Sequence, residues 1–74
     1  MTSVQAKERI ERHLLSKGYS RHDGQRHTYL VHPDGSVRYM LTSRTVKRQK
    51  RFEDGWVNVS RAASLIDVAK RLGE

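Results

Sequence analysis

Cationic side chains crowd one stretch of this sequence. No Asp or Glu lies between Asp34 and Glu53, whereas six cations do: Arg38, Arg44, Lys47, Arg48, Lys50 and Arg51. The 74 residues together carry a formal net charge of +7. Lys and Arg side chains contact phosphates and displace the cations condensed on a nucleic acid. We therefore expect these six residues, with Arg26 beside them, to contact a nucleic-acid backbone.

Charge by itself does not name the partner. A run of cations also keeps an edge strand from pairing with other chains, and a basic surface can dock on an acidic protein. Trp56 and Tyr39 could stack on bases, as aromatic side chains do in single-strand binders, or could lie in the core. RNA, DNA and an acidic protein all remain possible partners at this point.

The four histidines are the other side chains that could do chemistry. His13 lies beside the apolar stripe of a predicted helix, and His22 lies in a predicted turn. His27 and His32 are five residues apart on a predicted strand, so they point to opposite faces and we expect no metal site. An imidazole near a cationic patch can act as a general acid or base on a ribose hydroxyl. His27 is therefore the candidate catalytic residue, with a partly buried strand histidine as the alternative.

The composition excludes several classes of chemistry. The chain contains no cysteine, which rules out disulfides, thiolate-bound metals and thiol nucleophiles and is typical of a reducing compartment such as the cytoplasm. The sequence has no catalytic Ser, His and acid spacing and no glycine-rich phosphate loop, so we expect no cofactor. Its apolar runs are too short to cross a bilayer, so we expect no membrane partner. A ribonuclease is the one enzyme class that remains open.

Two amphipathic helices are predicted, one near each end of the chain. Thr2 and Gln5 have the spacing of a capping box and Gly18 can end a helix, so the first helix should span residues 3–17. Its apolar positions are Ala6, Ile10 and Leu14, with Val4 and Leu15 broadening the stripe. The second helix should begin after Ser60 as its N-cap and stop at Gly73.

A β-hairpin is predicted in the middle of the chain, after a turn at residues 21–24. Residues 25–32 are rich in strand-forming types, and Pro33-Asp34-Gly35 is a turn sequence, so residues 32 and 36 should face each other. This register places one set of side chains toward the core: His27, Tyr29, Val31, Val37, Tyr39 and Leu41. The opposite face then carries Arg26, Thr28, Leu30, His32, Arg38, Met40 and Thr42.

The rest of the sheet is predicted from weaker signals. Residues 44–52 are too polar for a central strand and should form an edge strand, followed by a turn at residues 53–55 and a short strand at residues 56–59. We expect an α+β domain spanning residues 1–74, with the element order α-β-β-β(-β)-α. Its antiparallel sheet of three or four strands should carry both helices on one face and leave the other face open.

The stretch KGYSRHDGQRHTYLVHPDG resembles the HicA family of small mRNA-interferase toxins. Gly18-Tyr19 matches the glycine-aromatic pair that closes helix one in that family, and residues 32–35 match its His-Pro-Asp-Gly segment. Counting back from that segment, the family's catalytic histidine falls on His27, while Gln25-Arg26 stand where the family has Gly-Ser. The resemblance implies a fold like that of the double-stranded RNA-binding domain and ribonuclease activity at His27.

Three functions are consistent with these observations. The first is a small nucleic-acid-binding protein that contacts the phosphate backbone through its Lys and Arg cluster. The second is a HicA-like ribonuclease that uses His27. The third is a protein-interaction module for an acidic partner, which could add a strand to the predicted edge at residues 44–52. The oligomeric state is left open.

Overall fold

The computed structural model, which describes residues 1–72, follows the predicted element order with two further strands. The elements are α1 (Ser3–Ser16), β1 (Ser20–Asp23), β2 (Thr28–Val31), β3 (Val37–Leu41), β4 (Thr45–Phe52), β5 (Gly55–Asn58), β6 (Ala63–Ser64) and α2 (Leu65–Leu72). All strand pairs are antiparallel, in the order β1-β2-β3-β4-β5, and β6 pairs with β4. The predicted α+β class is confirmed.

Both helices pack on one face of the sheet, as the amphipathic patterns predicted. The buried core joins α1, α2, β3 and β4 through Ala6, Ile10, Leu41, Val46, Leu65 and Ala69. The helices also meet directly, because Arg9 Nη1 donates a hydrogen bond to the Ala69 carbonyl at 3.4 Å. Val4 and Leu15 do not broaden the buried stripe of α1, since they are 67% and 46% exposed.

Local signals set both ends of α1 as predicted. The Thr2 hydroxyl accepts from the Gln5 N–H at 3.1 Å, and the Gln5 side chain accepts from the Thr2 N–H at 2.9 Å. At the other end Gly18 has a φ of 92°, and the Tyr19 N–H donates to the Leu14 carbonyl at 3.1 Å. These are the hydrogen bonds of a capping box and of a Schellman motif.

The predicted start of the second helix is wrong. The Ser60 hydroxyl accepts from the Arg48 N–H at 2.9 Å, so it serves the sheet and caps no helix. The chain then forms β6, and α2 begins only at Leu65. The stop predicted at Gly73 lies outside the described residues.

Residues 21–24, predicted as a turn, lie mostly in β1. Asp23 is opposite Thr28, and the Gly24 N–H donates to the His27 carbonyl at 2.8 Å, so the turn itself is Gln25-Arg26. β1 is an exposed edge strand along its whole length. Its side chains therefore show no apolar alternation from which a strand could be recognised.

β4 is an interior strand and not the edge strand predicted for residues 44–52. β3 pairs with one side of it, while β5 and β6 share the other side. Such a polar strand is tolerated here because only Val46 and Gln49 of β4 are buried. Since both sides of β4 are already paired, it has no free edge to which a partner strand could be added.

The predicted register between β2 and β3 is wrong by one residue. Tyr29 pairs with Met40 and Leu30 with Tyr39, because the loop holds four residues between His32 and Val37. Thr28 and Leu30 consequently lie buried on the helix face, whereas His27, Tyr29 and Val31 fall on the opposite face. The β3 positions point as predicted, with Val37, Tyr39 and Leu41 toward the helices and Arg38 and Met40 away from them.

The extra loop residue has a clear physical reason. The carboxylate of Asp34 accepts from the Ser36 N–H at 2.8 Å and from the Ser36 hydroxyl at 2.6 Å. These two bonds keep Ser36 in the turn, and the His32 N–H then closes the hairpin on the Val37 carbonyl at 2.8 Å. The side chain of Asp34 therefore decides which face each β2 residue occupies.

Candidate nucleic-acid interface

The sheet face opposite the helices is called the open face below. Strand pairing places these residues on it: Ser20, His22, Tyr29, Val31, Arg38, Met40, Thr45, Lys47, Gln49, Arg51, Trp56, Asn58 and Ser64. Three of them are cations, and none of these strand positions is Asp or Glu. The open face is thus a positively charged surface without a compensating acid on its strands.

The guanidinium of Arg38 lies between two aromatic rings at the centre of the open face. Its central carbon is 4.0 Å from the centroid of the Tyr29 ring and 4.4 Å from that of Trp56. A cation over an aromatic face is attracted by the negative charge at the centre of the ring. Arg38 therefore joins β2 to β5, which are separated by β3 and β4 in the sheet.

The stack of Tyr29, Arg38 and Trp56 is called the sandwich. A chain of side-chain hydrogen bonds holds its central guanidinium in place. Arg38 Nε donates to Gln49 Oε1 at 2.7 Å, and Gln49 Nε2 donates to Asn58 Oδ1 at 2.8 Å. Because β4 lies between β3 and β5, the side chains of Arg38 and Trp56 meet over β4 and leave Gln49 only 8% exposed. The buried amide has both of its polar atoms paired, which fixes the guanidinium plane.

Gly24 lies next to the Tyr29 ring of the sandwich. A Cβ atom at this position would lie 2.9 Å from Cε2 of Tyr29 and 3.2 Å from the His27 carbonyl oxygen. The Tyr29 ring therefore packs against a site that only glycine leaves free. The open face carries a continuous row formed by Gly24, Tyr29, Arg38 and Trp56.

Arg38 keeps its charge in this setting. Burial lowers the pKa of its guanidinium from the ordinary value, and the nearby Tyr29 acts in the opposite direction. A guanidinium stays protonated at neutral pH even so. Of its nitrogens, only Nε has a side-chain partner within residues 1–72, which leaves the terminal nitrogens to meet an anion.

The alternation of β4 divides the predicted cationic cluster between two faces. Lys47 and Arg51 lie on the open face with Arg38, whereas Arg48 and Lys50 lie on the helix face. The remaining two predicted residues, Arg26 and Arg44, are exposed in the β1–β2 and β3–β4 turns, at the same end of the sheet. The structure therefore brings together three of the seven predicted residues, with two more at their margin.

His27 lies just before β2 and extends its pairing with β1 by one hydrogen bond. Alternation places its side chain on the same face as that of Tyr29. The side chain is half-buried, and its Nδ1 atom is buried with no hydrogen-bond partner within the described part of the chain. The candidate catalytic residue thus borders the open face, as a partly enclosed imidazole.

His32 has a structural role in the β2–β3 loop. Its Nδ1 lies 2.9 Å from Asp34 Oδ1, and its ring packs edge-on against Tyr19 with the centroids 5.2 Å apart. No three His, Asp or Glu side chains come together as a possible metal site in residues 1–72.

A largely apolar groove of about 340 Å³ lies on the helix side of the sheet. Its walls come from both helices and from β3 and β4, and it includes Leu14, Tyr39, Val46, Val68 and Leu72. Arg48 and Arg61 also line it. Tyr39 therefore lies on the helix side of the sheet and is not a stacking surface of the open face.

The sequence did not reveal two of the residues that organise the open face, Gln49 and Gly24. Gln49 carries no pattern that distinguishes it from an exposed strand glutamine, and Gly24 reads as an ordinary turn glycine. Trp56 was among the candidate stacking residues, and it lies on the open face directly after the predicted turn at residues 53–55, while its neighbour Val57 points the other way. The contact between Trp56 and Arg38 depends on how the strands are ordered, which no local signal reveals.

Comparison with known proteins finds no family model that matches this chain. No curated protein and no solved structure matches it either. No helix within residues 1–72 is both long and apolar enough to span a membrane.

Proposed function

We propose that this protein binds nucleic acid through its open face. The observation that carries the proposal is the set of three cations, Arg38, Lys47 and Arg51, on a face whose strands carry no acid. Clustered cations on one surface are the electrostatic footprint of a nucleic-acid binder.

The spacing of the cations suits a phosphate backbone. Lys47 and Arg51 are four residues apart on β4, which is about 13 Å along the strand. A nucleic-acid strand carries one phosphate per roughly 3.4 Å of duplex axis, so this span faces several phosphates. Arg26 and Arg44 lie beyond the Lys47 end of the sheet and extend the path.

The alternation of β4 offers a matched test of the proposal. The double variant Lys47→Glu and Arg51→Glu changes the open face, and Arg48→Glu with Lys50→Glu makes the same charge change on the helix face. Binding of labelled single-stranded RNA, duplex RNA and duplex DNA is measured by fluorescence anisotropy, with folding checked by circular dichroism. We expect the open-face variant to lose roughly tenfold or more in affinity relative to the helix-face variant.

Two results would overturn the proposal. Equal losses in the two double variants would mean that only net charge attracts the polymer. Absence of binding by the wild type to all three nucleic acids would remove the proposal, and would leave an acidic protein as the partner to seek.

A ribonuclease is the second candidate, because His27 borders the same face. A bound RNA strand would pass near this imidazole, which could exchange a proton with a ribose 2′-hydroxyl. The test incubates RNA with wild type and with His27→Ala, followed by denaturing electrophoresis. Shortened RNA from the wild type alone would support catalysis by His27. Intact RNA in both lanes would exclude ribonuclease activity and retain the binding proposal.

A further inference from the structure

We infer that the open face binds single-stranded nucleic acid, with an unpaired base stacked on Trp56. This inference rests on the proposed function and names the form of polymer that the same site would take. It is carried by the sandwich that places an indole, a guanidinium and a phenol ring in one row on a charged surface.

The indole is fixed in place before any ligand arrives. Trp56 is half-buried, packs against the Arg38 guanidinium at 4.4 Å and covers the buried Gln49 amide. A side chain that is already ordered loses little conformational entropy when a ligand packs against it. Part of its side chain is exposed to solvent, on a sheet face that neither α1 nor α2 covers.

Stacking on such a ring requires a base that is not already stacked in a duplex. The bases of double-stranded nucleic acid present only their edges in the grooves, whereas single strands expose their faces to aromatic and guanidinium planes. Trp56 is also close to cations, since it pairs with Arg51 across the sheet. A strand whose phosphates meet Arg51 and Lys47 would bring a base to the indole.

The chain provides its own probe, because Trp56 is its one tryptophan. Its fluorescence is recorded while oligo(U) or oligo(dT) of about 12 nucleotides is added, and in parallel while a duplex of the same length is added. Binding of each polymer is measured independently by anisotropy of a labelled strand. We expect strong quenching with the single strands, and weaker binding with little quenching for the duplex.

Substitutions separate stacking from folding. Trp56→Leu should lower single-strand affinity roughly tenfold, and Trp56→Phe should recover part of that loss because it retains a ring. Phe52→Leu is the matched control, since Phe52 lies in the same hairpin on the helix face and is 53% exposed. Circular dichroism confirms that each variant is folded.

The outcomes distinguish the two proposals. Salt-sensitive binding without quenching, with equal affinity for single strand and duplex, would overturn base stacking and leave the proposed function intact. Absence of binding in the anisotropy experiment would overturn both. Trp56→Leu and Phe52→Leu lowering the affinity equally would also contradict stacking.

Discussion

Arg38 illustrates how the role of one residue changes between sequence and structure. In the sequence it is one of several cations expected to contact phosphates. In the structure its guanidinium is half-buried, and Tyr29, Trp56 and Gln49 hold it in place. It fixes the arrangement of the two rings on the open face, and its terminal nitrogens are left for an anion.

Arg38→Lys tests this positioning role. Lysine retains the charge but has no planar group to lie between two rings, and it cannot reproduce the Nε bond to Gln49 in the same geometry. We expect the free energy of unfolding to fall by about 1–2 kcal/mol, measured by urea denaturation. Arg44→Lys in the exposed β3–β4 turn is the control and should change it little. Equal stability of the two variants would contradict a stabilising role for the packing of Arg38 between the two rings.

Gly24→Ala tests the packing of Tyr29. The added methyl group would lie 2.9 Å from the Tyr29 ring, so the ring must move or the hairpin must shift. We expect a loss of about 1–3 kcal/mol in the free energy of unfolding. The loss should shrink when Tyr29→Leu is present, because the clash is then removed. A loss that is unchanged in the double variant would mean that the ring is not the obstacle.

Individual residues of the site could be predicted from the sequence, but their contacts could not. Arg38, Lys47 and Arg51 stand out by charge and Trp56 by its ring. Their proximity depends on β4 lying between β3 and β5, which is a property of the whole sheet.

At the scale of elements, the predictions succeeded where the signal was local. The capping box and the glycine exit set α1 within a few residues of each end, so its bounds were predicted closely. The β2–β3 register failed because it depends on whether Ser36 belongs to the loop or to the strand. Two hydrogen bonds from Ser36 to Asp34 decide this, and the turn sequence does not reveal them.

The same loop gives a prediction about pH. The Ser36 hydroxyl and N–H hold the pKa of the Asp34 carboxyl below its ordinary value of 3.8, and His32 adds to this effect. A carboxyl whose pKa is lower in the folded state stabilises the fold above the ordinary value, and this contribution is lost as the pH falls through the folded value. The difference in melting temperature between wild type and Asp34→Asn should therefore shrink below a pH of about 4.

Thermal melts from about pH 6 down to about pH 2.5 measure this difference. Asp54→Asn in the exposed β4–β5 turn is the control for a general charge effect. A gap between wild type and Asp34→Asn that stays constant over this range would show that the charge of Asp34 does not stabilise the loop.

At the scale of the whole molecule, the acids are distributed unequally between the two layers. Every acid in residues 1–72 lies on a helix, on the helix face of the sheet or in a turn: Glu8, Glu11, Asp23, Asp34, Glu53, Asp54 and Asp67. The cations on the open-face strands are therefore uncompensated by any acid on the same strands, whereas the cations of the helix layer are interspersed with acids.

The salt dependence of binding should reflect this asymmetry. Each phosphate contact contributes about one unit to the slope of log affinity against log salt. Lys47→Ala should lower that slope by about one unit between about 50 mM and 200 mM salt, whereas Lys50→Ala on the helix face should leave it nearly unchanged. Equal slopes for the two variants would place the contacts elsewhere.

The most direct test of the open face as the binding surface is a nuclear magnetic resonance titration. Labelled protein is titrated with single-stranded oligo(U), and the chemical-shift changes of each backbone amide and of the Trp56 indole N–H are recorded. We predict the largest changes at Trp56, Lys47 and Arg51 and small changes on α1 and α2. The largest changes at Arg48, Lys50 and the helices, with an unperturbed Trp56, would contradict this prediction.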